Sequence, residues 1–189
     1  MPRTLLPVTD DLSEASSAHL SDLNPRLDRL VGRFETPDFI ADDPISVPHG
    51  FTDPDDIAVI GLFAALLAWG RRATILNKLA DLCERMRYRP AAFVLTYDDA
   101  RDGPLLDGFK HRTFKSGDAR VLTRNLRLLI ERHGSLQSAF ADHLSPSDSD
   151  IGPAIQGFSN SILTIHPETP TRLRKHVARP ATGSAAIPS

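Results

Sequence analysis

Several basic side chains of this sequence lie in one short segment, and their spacing suits contact with an anion. Lys110, His111, Arg112 and Lys115 fall within six positions, with one phenylalanine before the group and one inside it. A surface that binds the phosphates of a nucleic acid combines cations with aromatic rings in this way. An ordinary solvated loop, with both phenylalanines turned inward, explains the same residues. Both interpretations stay open at this point.

Two further groups of cations extend this set. Arg71 and Arg72 follow Gly70, which separates two apolar helical patterns. At the start of the second helix, free backbone N–H groups and two guanidinium groups favour an anion site. Solvent exposure, or pairing with the acidic segment upstream, is the alternative. A second basic cluster lies near the end of the chain. The candidate nucleic-acid-binding residues are therefore Arg71, Arg72, Lys110, His111, Arg112, Lys115, Arg174 and Lys175.

Acidic side chains are concentrated in residues 36–56, where four prolines exclude a regular helix. Asp42, Asp43 and His49 belong to this segment, and hard cations prefer carboxylate ligands. An enzyme that acts through these three residues and a metal ion is one hypothesis. The spacing of the aspartates matches no calcium loop, however, and turn and capping roles account for most of them. We therefore predict no metal site.

The other reactive side chains form no recognised catalytic set. The seven histidines are scattered, and the sequence contains no HExxH, GxGxxG, P-loop or GxSxG motif. The one cysteine, Cys83, lies on the apolar side of a predicted helix, so we interpret it as a core thiol in a reducing compartment. We accordingly predict no catalytic residue and no cofactor, and we favour a protein that is not an enzyme.

Two predicted helices would hold the arginines beside Gly70. The first is an apolar run over residues 57–69, which is shorter than the roughly 20 residues that a membrane span needs. Asp53 is suited to cap this helix and Pro54 to stand in its first turn. The second follows Gly70, with apolar residues at helical spacing over 75–86. The pattern predicts two core helices that meet near Gly70.

Helical periodicity accounts for most of the remaining chain. We predict helices over residues 21–34, 118–133, 135–144, 151–165 and 171–178, and a loop over 98–116. Residues 90–97 fit a short helix or an extended segment, and we favour the helix. No segment alternates at strand period for long enough to form a sheet. The predicted fold class is therefore all-α, a multi-helix domain. The predicted organisation is a loose N-terminal tail over 1–20, a single helical domain over 21–178 and a disordered tail over 179–189.

Four single residues make these helix predictions specific. Pro25 belongs in the first turn of the helix over 21–34. Asp118 is expected to cap the helix over 118–133, and Gly134 to end it. Leu144 is expected on the buried side of the helix over 135–144.

The balance of charge limits the kinds of partner. A net charge of −2 and a pI near 6.4 exclude a nucleic-acid-binding protein that is basic over its whole surface. A local basic patch is compatible with these values. The N-terminus contains no long apolar segment, so we predict no signal peptide, no association with a membrane and a cytoplasmic location.

Four sequence segments occur in an order typical of one protein family. They read DPISVPH at 43–49, AWGRR at 68–72, KHRTF at 110–114, and KHV followed by GSA over 175–185. With these segments the chain resembles an uncharacterised bacterial family, domain of unknown function 2400, over residues 23–185. That family is in turn distantly similar to the helix–hairpin–helix DNA glycosylase fold. The resemblance implies a DNA-glycosylase-like helical bundle.

The same resemblance implies that this bundle is incomplete. Longer members continue from GSA into CKR, an arginine-rich helix and a Leu-Asp-Val-His-like segment, whose aspartate would correspond to the catalytic aspartate of a glycosylase. Here AIPS follows residues 183–185. The expectation is a chain truncated at its C-terminus, without the catalytic half of its family and inactive alone. Helices left without neighbours would make the isolated chain marginally stable or prone to association.

Two functions from different classes follow. The first is a nucleic-acid-associated helical protein that contacts phosphates through its local basic loops. The alternative is a helical protein-interaction module with no nucleic-acid role, which would self-associate or bind a protein partner through exposed apolar faces. Binding that weakens steeply with salt would separate the first function from the second.

Overall fold

The structure is a computed structural model that describes residues 11–36 and 40–180, with only the backbone described for residues 11–22. The chain forms two compact units, residues 1–41 and residues 42–189, and each is described by itself. Predictions for residues 1–10, in the expected N-terminal tail, and for residues 181–189, which include the GSA segment and most of the expected C-terminal tail, lie outside the described residues. The domain bounds predicted at residues 20 and 178 stay predictions.

The first unit contains helix α1, which covers Asp11–Phe34. It begins ten residues before the predicted start, so Pro25 lies inside the helix and not in its first turn. Residues 11–20 lack a clear apolar stripe, but they include good helix formers and acidic residues that favour the positive end of the helix dipole. The predicted apolar stripe is present on α1, and its side chains are exposed: Leu23, Leu27, Leu30, Val31 and Phe34.

The second unit is built on two helices that meet at a bend. Its first elements are α2 (Ser46–His49), α3 (Pro54–Leu67) and α4 (Arg72–Arg85). A carboxylate oxygen of Asp53 accepts hydrogen bonds from the backbone N–H groups of Asp55, at 2.8 Å, and Asp56. The predicted N-cap of α3 is therefore confirmed, with Pro54 in the first turn.

The bend between α3 and α4 passes through Gly70, whose φ of +119° is a conformation that side chains disfavour. Phe63 of α3 and Leu79 of α4 are fully buried, so both helices contribute to one core. Cys83 is buried as well, and burial raises the pKa of its thiol to about 11. The prediction of two core helices that meet near Gly70 is confirmed.

The segment after α4 contains more regular structure than its sequence predicts. Helix α5 (Pro90–Leu95) agrees with the predicted helix over 90–97. The loop predicted over 98–116 is wrong, because it contains helix α6 (Asp99–Leu106) and a β-hairpin. Asp98 caps α6 by accepting a hydrogen bond from the backbone N–H of Arg101 at 2.9 Å. A capped helix therefore lies where the sequence indicated a loop.

A glycine and a proline inside α6 explain this error. Gly103 and Pro104 usually interrupt helices, yet both lie within α6. A Cβ atom at Gly103 would stand 2.5 Å from a guanidinium nitrogen of Arg120. Glycine at this position leaves room for the guanidinium of Arg120 to pack against the helix backbone, so it does not mark a turn.

The hairpin consists of β1 (Lys110–His111) and β2 (Phe114–Lys115), which pair antiparallel. Lys110 is the partner of Lys115 across the strands, and His111 is the partner of Phe114. His111 and Phe114 are buried, whereas both lysines are exposed. One face of the hairpin is therefore buried and the other is exposed and basic, because successive side chains of a strand point to opposite faces.

A further group of helices completes the second unit. They are α7 (Ser116–His133), α8 (Leu136–Ala141), α9 (Gly152–Thr164) and a 3-10 helix (Thr171–Lys175). Asp118 is not the N-cap of α7 but lies in its first turn, from which its carboxylate reaches back to the N–H of Lys115. Leu144 is 53% exposed, not buried, because α8 ends at Ala141. Gly134, with a φ of +86°, ends α7 as predicted.

The predicted fold class, an all-α multi-helix domain, is confirmed. Within residues 11–36 and 40–180, regular structure is helical apart from the two short strands of the hairpin. Among these same residues we find no helix with the length and apolar character that crossing a membrane requires.

Candidate functional site

The side chain of Trp69 is the centre of the candidate site. It stands at the bend after α3, where its indole N–H donates a hydrogen bond to the carbonyl oxygen of Leu66 at 3.0 Å. From the centre of the Trp69 ring, the ring of His111 lies 5.3 Å away, the guanidinium carbon of Arg112 5.1 Å and the ring of His176 6.1 Å. We call this group, with the adjoining Phe114, the Trp69 cluster: Trp69, His111, Arg112, Phe114 and His176.

Gly70 leaves room for the side chain of Arg112. A Cβ atom at Gly70 would lie 3.1 Å from a terminal nitrogen of Arg112 and 3.5 Å from its Cδ. The guanidinium group therefore lies above Trp69 and beside a residue without a side chain. Arg112 itself has a φ of +54°, in the left-handed region that residues other than glycine seldom adopt.

His111 differs from the other candidate cations because it is buried, with only 2% of its surface exposed. Its Nε2 atom lies 3.0 Å from the carbonyl oxygen of Trp69 and donates a hydrogen bond to it, since a carbonyl only accepts. Its Nδ1 atom is buried and has no hydrogen-bond partner in the described part of the chain. His111 therefore fixes the hairpin to the bend and does not face solvent, where a phosphate would bind.

A buried carboxylate connects the 3-10 helix to the hairpin. Asp118 accepts hydrogen bonds from the N–H of Lys115 at 2.9 Å, from Nε of Arg172 at 2.7 Å and from Nη2 of Arg172. Burial alone would raise the pKa of Asp118, but the hydrogen bonds from Arg172 and Lys115 outweigh it and hold the pKa below its ordinary value. The carboxylate is therefore charged at neutral pH and anchors both segments.

His176 closes the cluster from the end of the 3-10 helix. Its ring stacks on Trp69 and meets the ring of Phe114 edge to face, with 5.2 Å between the centres. Burial lowers the pKa of His176, the nearby Asp118 opposes that shift, and the positive charges of Arg172 and Lys175 add to it. His176 is therefore neutral at neutral pH and packs as an aromatic ring.

A test of this packing is the pH dependence of stability. The pKa of His176 is lower in the folded chain than in the unfolded chain, so the folded chain binds a proton there less readily. The contribution of the neutral ring to the free energy of unfolding is therefore fully present above the ordinary histidine pKa of 6.5, and it is lost as the pH falls through the lowered pKa of the folded chain. We expect the free energy of unfolding to fall as the pH drops below about 6.5, and to fall less in His176→Gln. Urea unfolding at several pH values measures this, with His49→Gln, at an exposed position, as the control. An equal fall in His176→Gln would contradict the account.

The other candidate cations are all exposed. They are Arg71, Arg72, Lys110, Arg112, Lys115, Arg174 and Lys175. Arg112 belongs to the Trp69 cluster and lies on Trp69, whereas Arg71, Arg72 and Lys175 lie within three residues of a cluster member along the chain. Lys110 and Lys115 lie on the opposite, exposed face of the hairpin, and Arg174 is exposed on the 3-10 helix.

Sequence reasoning missed the residues that organise the site. Trp69, Asp118, Arg172 and His176 were not among the candidates, although their contacts join the bend, the hairpin and the 3-10 helix. One signal was available: the segments AWGRR, KHRTF and KHV, which the family resemblance singled out, are the three that meet in the Trp69 cluster. Each contributes at least one aromatic or imidazole ring to it.

The first segment of the resemblance, DPISVPH, meets AWGRR across a cavity of about 730 Å³. Its walls are mostly apolar and are formed by Asp43, Pro44, Ile45, Pro48, His49, Phe51, Ile57, Gly61, Ala64, Ala65, Ala68, Gly70, Arg72 and Ile75. Asp43 accepts a hydrogen bond from the N–H of Ile45 at 3.0 Å, which is the turn role that the sequence suggested. Across the described ranges, no three histidine, cysteine or acidic side chains stand where they could share a metal ion.

Comparison with known proteins gives one match. The family model described as "Protein of unknown function (DUF2400)" matches residues 43–187. No curated protein and no solved structure matches the chain. The matched range contains every residue of the Trp69 cluster and both sides of the cavity.

Proposed function

The chain belongs to the DUF2400 family, whose function is unknown, and we propose that it associates with nucleic acid through the cations around the Trp69 cluster. Such a surface holds the phosphate backbone by charge and carries little sequence information. The observation that supports the proposal most is the convergence of three distant segments, each of which carries exposed cations, on one aromatic cluster.

The cations near the Trp69 cluster have no acidic partner in the part of the chain that the structure describes. Among the described residues, Arg71, Arg72, Arg112 and Lys175 take part in no ion pair, whereas Arg120 of α7 binds a carboxylate of α6 at 2.8 Å. An arginine without an acidic partner retains its N–H donors for a ligand, and phosphate oxygens are suited to accept them. A polyanion is the ligand that would satisfy several such cations at once.

The outer face of the hairpin carries two more exposed cations. Lys110 and Lys115 are direct partners across the two strands, and like charges at such positions are destabilising. A lysine paired with an acidic residue would stabilise the free protein better than two lysines do. A bound polyanion would reduce the repulsion between the two lysines, so anion binding would explain why both are present. The net charge of −2 for the whole chain is consistent with a local patch of this kind.

Charge reversal tests the proposal. In Lys110→Glu/Arg112→Glu, the affinity for a labelled DNA duplex should fall by about tenfold or more at low salt, because two phosphate contacts become repulsive. Fluorescence anisotropy at several KCl concentrations measures the affinity and its salt dependence. The matched control is Arg89→Glu/Arg132→Glu, which changes the net charge equally at exposed positions outside the site. Equal losses in both variants, or no loss in either, would sink the proposal.

The second candidate function, a protein-interaction module, is supported by helix α1. Leu27 and Leu30 are 52% and 47% exposed and belong to one apolar stripe along the helix. A stripe of this kind is a surface for association with a second copy or another protein. If this function holds, the chain associates independently of salt, and Leu27→Glu/Leu30→Glu abolishes the association in sedimentation experiments. A chain that is monomeric at all concentrations would exclude self-association through α1.

The proposal concerns binding, and we assign no reaction to the chain. Similarity of the family to the helix–hairpin–helix DNA glycosylase fold agrees with a nucleic-acid partner, but that similarity stays a prediction from sequence. The expected cytoplasmic location, truncation and lack of activity are predictions of the same kind.

A further inference from the structure

We propose that Arg112 recognises the shape of a phosphodiester group, and not only its charge, by presenting a fixed planar guanidinium to its two non-bridging oxygens. This inference rests on the proposed function and assigns one residue a role that the surrounding cations do not share. The other exposed cations would then contribute attraction, whereas Arg112 would fix where a phosphate sits.

The position of Arg112 in the backbone is the first argument. It lies with Thr113 between the two strands of the hairpin, where tight turns favour glycine or asparagine. With a φ of +54°, Arg112 occupies a conformation that costs most residues roughly 1–2 kcal/mol. Because the backbone conformation disfavours arginine at this position, we infer that Arg112 is present for a role of its side chain.

The way the guanidinium is held is the second argument. Its carbon lies 5.1 Å from the centre of the Trp69 ring, a distance typical of a cation–π contact. On another side lies Gly70, where a Cβ atom would stand 3.1 Å from a terminal nitrogen of Arg112. The absence of a side chain at Gly70 therefore leaves the space that the guanidinium occupies. Trp69 is itself held by the hydrogen bond from its indole N–H to Leu66. A side chain held in this way loses little conformational entropy when a ligand binds.

The free donors of Arg112 are the third argument. In the described part of the chain its guanidinium makes no hydrogen bond and no ion pair, whereas Arg172 directs two nitrogens at Asp118. A guanidinium offers N–H groups in a planar fork, which matches two phosphate oxygens at once. Lysine is a point charge on a flexible chain and cannot reproduce that fork. The combination of a fixed position and unused donors distinguishes Arg112 from Lys110 and Lys115.

Conservative substitutions separate shape from charge. Arg112→Lys keeps the positive charge, so the slope of log affinity against log KCl should stay as in the wild type, while the affinity for a DNA duplex falls about tenfold. Arg132→Lys, the same exchange at an exposed position outside the site, should bind as the wild type does. Lys110→Ala should make the slope of log affinity against log KCl less steep by about one unit, because it removes one positive charge that contacts a phosphate. Thermal melts of all variants establish that each is folded.

A second measurement needs no substitution. In the wild-type chain, the Nε–H resonance of Arg112 should shift when the duplex is added, and its exchange with water should slow. Arg112→Lys binding within twofold of the wild type, or an unshifted resonance in the bound state, would overturn this inference and leave the proposed function intact. A wild-type chain without salt-dependent duplex binding would overturn both.

Discussion

Replacing Phe114 with alanine is expected to lower the free energy of unfolding by about 3–5 kcal/mol, which is the usual cost of removing a buried phenylalanine ring. Phe114 is fully buried on the inner face of the hairpin. Its ring meets that of Phe109 at 6.2 Å and that of His176 at 5.2 Å, both edge to face. Its loss removes these contacts and leaves a cavity between the hairpin and the end of the 3-10 helix.

Urea unfolding measures this loss as a lower midpoint with an unchanged slope. Leu95→Ala is the control, because Leu95 is 46% exposed and its truncation should change the free energy of unfolding by only about 0.5 kcal/mol. The expected loss is a large part of the total stability of a typical domain, which is about 5–15 kcal/mol. Partial unfolding of Phe114→Ala at room temperature would therefore also agree with the prediction. A loss below about 1 kcal/mol would show that the hairpin does not pack as described.

The second large effect is expected for Asp118→Ala, which should lower the free energy of unfolding by about 3 kcal/mol. The substitution removes the acceptor for the N–H of Lys115 at the start of α7 and breaks the pair with Arg172. Arg172 is half-exposed and regains water, so the cost stays below that of a fully buried pair. Because the pKa of Asp118 is lowered in the folded chain, the contribution of its carboxylate to the free energy of unfolding is present above the ordinary aspartate pKa of 3.8. That contribution is lost as the pH falls through the lowered pKa of the folded chain.

A double-mutant cycle isolates the pair. Asp118→Ala, Arg172→Ala and the combined variant give the coupling energy between the two side chains. Glu131→Ala is the matched control, because Glu131 pairs with Arg127 at an exposed position and should cost at most about 1 kcal/mol. A coupling energy near zero would mean that Asp118 does not anchor the 3-10 helix.

Local signals in the sequence were sufficient to predict the central helices. The apolar run over 57–69 predicted α3, and the Asp53–Pro54 pair fixed its start, because capping and helix entry depend on neighbouring residues only. The same reasoning predicted α4 from its periodicity and the bend from Gly70. It failed for Gly103, whose role depends on the side chain of Arg120, seventeen residues further along the chain.

The candidate site was predicted only in part, for the same physical reason. Charge and exposure follow largely from residue type, so the exposure of Arg71, Arg72 and Arg112 was predictable, whereas their role in binding stays a prediction. The burial of His111 could not be predicted, because it results from packing against Trp69, forty-two residues away. The burial of Asp118, and its pairing with a distant arginine, likewise requires the tertiary fold. Patterns of cations suggest an anion surface, but only the fold shows which of them reach solvent.

The emission of Trp69 tests the central claim, that nucleic acid binds at the Trp69 cluster, most directly. It is the one tryptophan of the chain, so tryptophan emission, excited at a wavelength that the two tyrosines do not absorb, reports on this site alone. In a titration with a DNA duplex at low salt, the account predicts a change in emission that saturates together with the anisotropy of the labelled duplex and reverses when KCl is added. Duplex binding without any change in the emission of Trp69, or no binding at low salt, would contradict it.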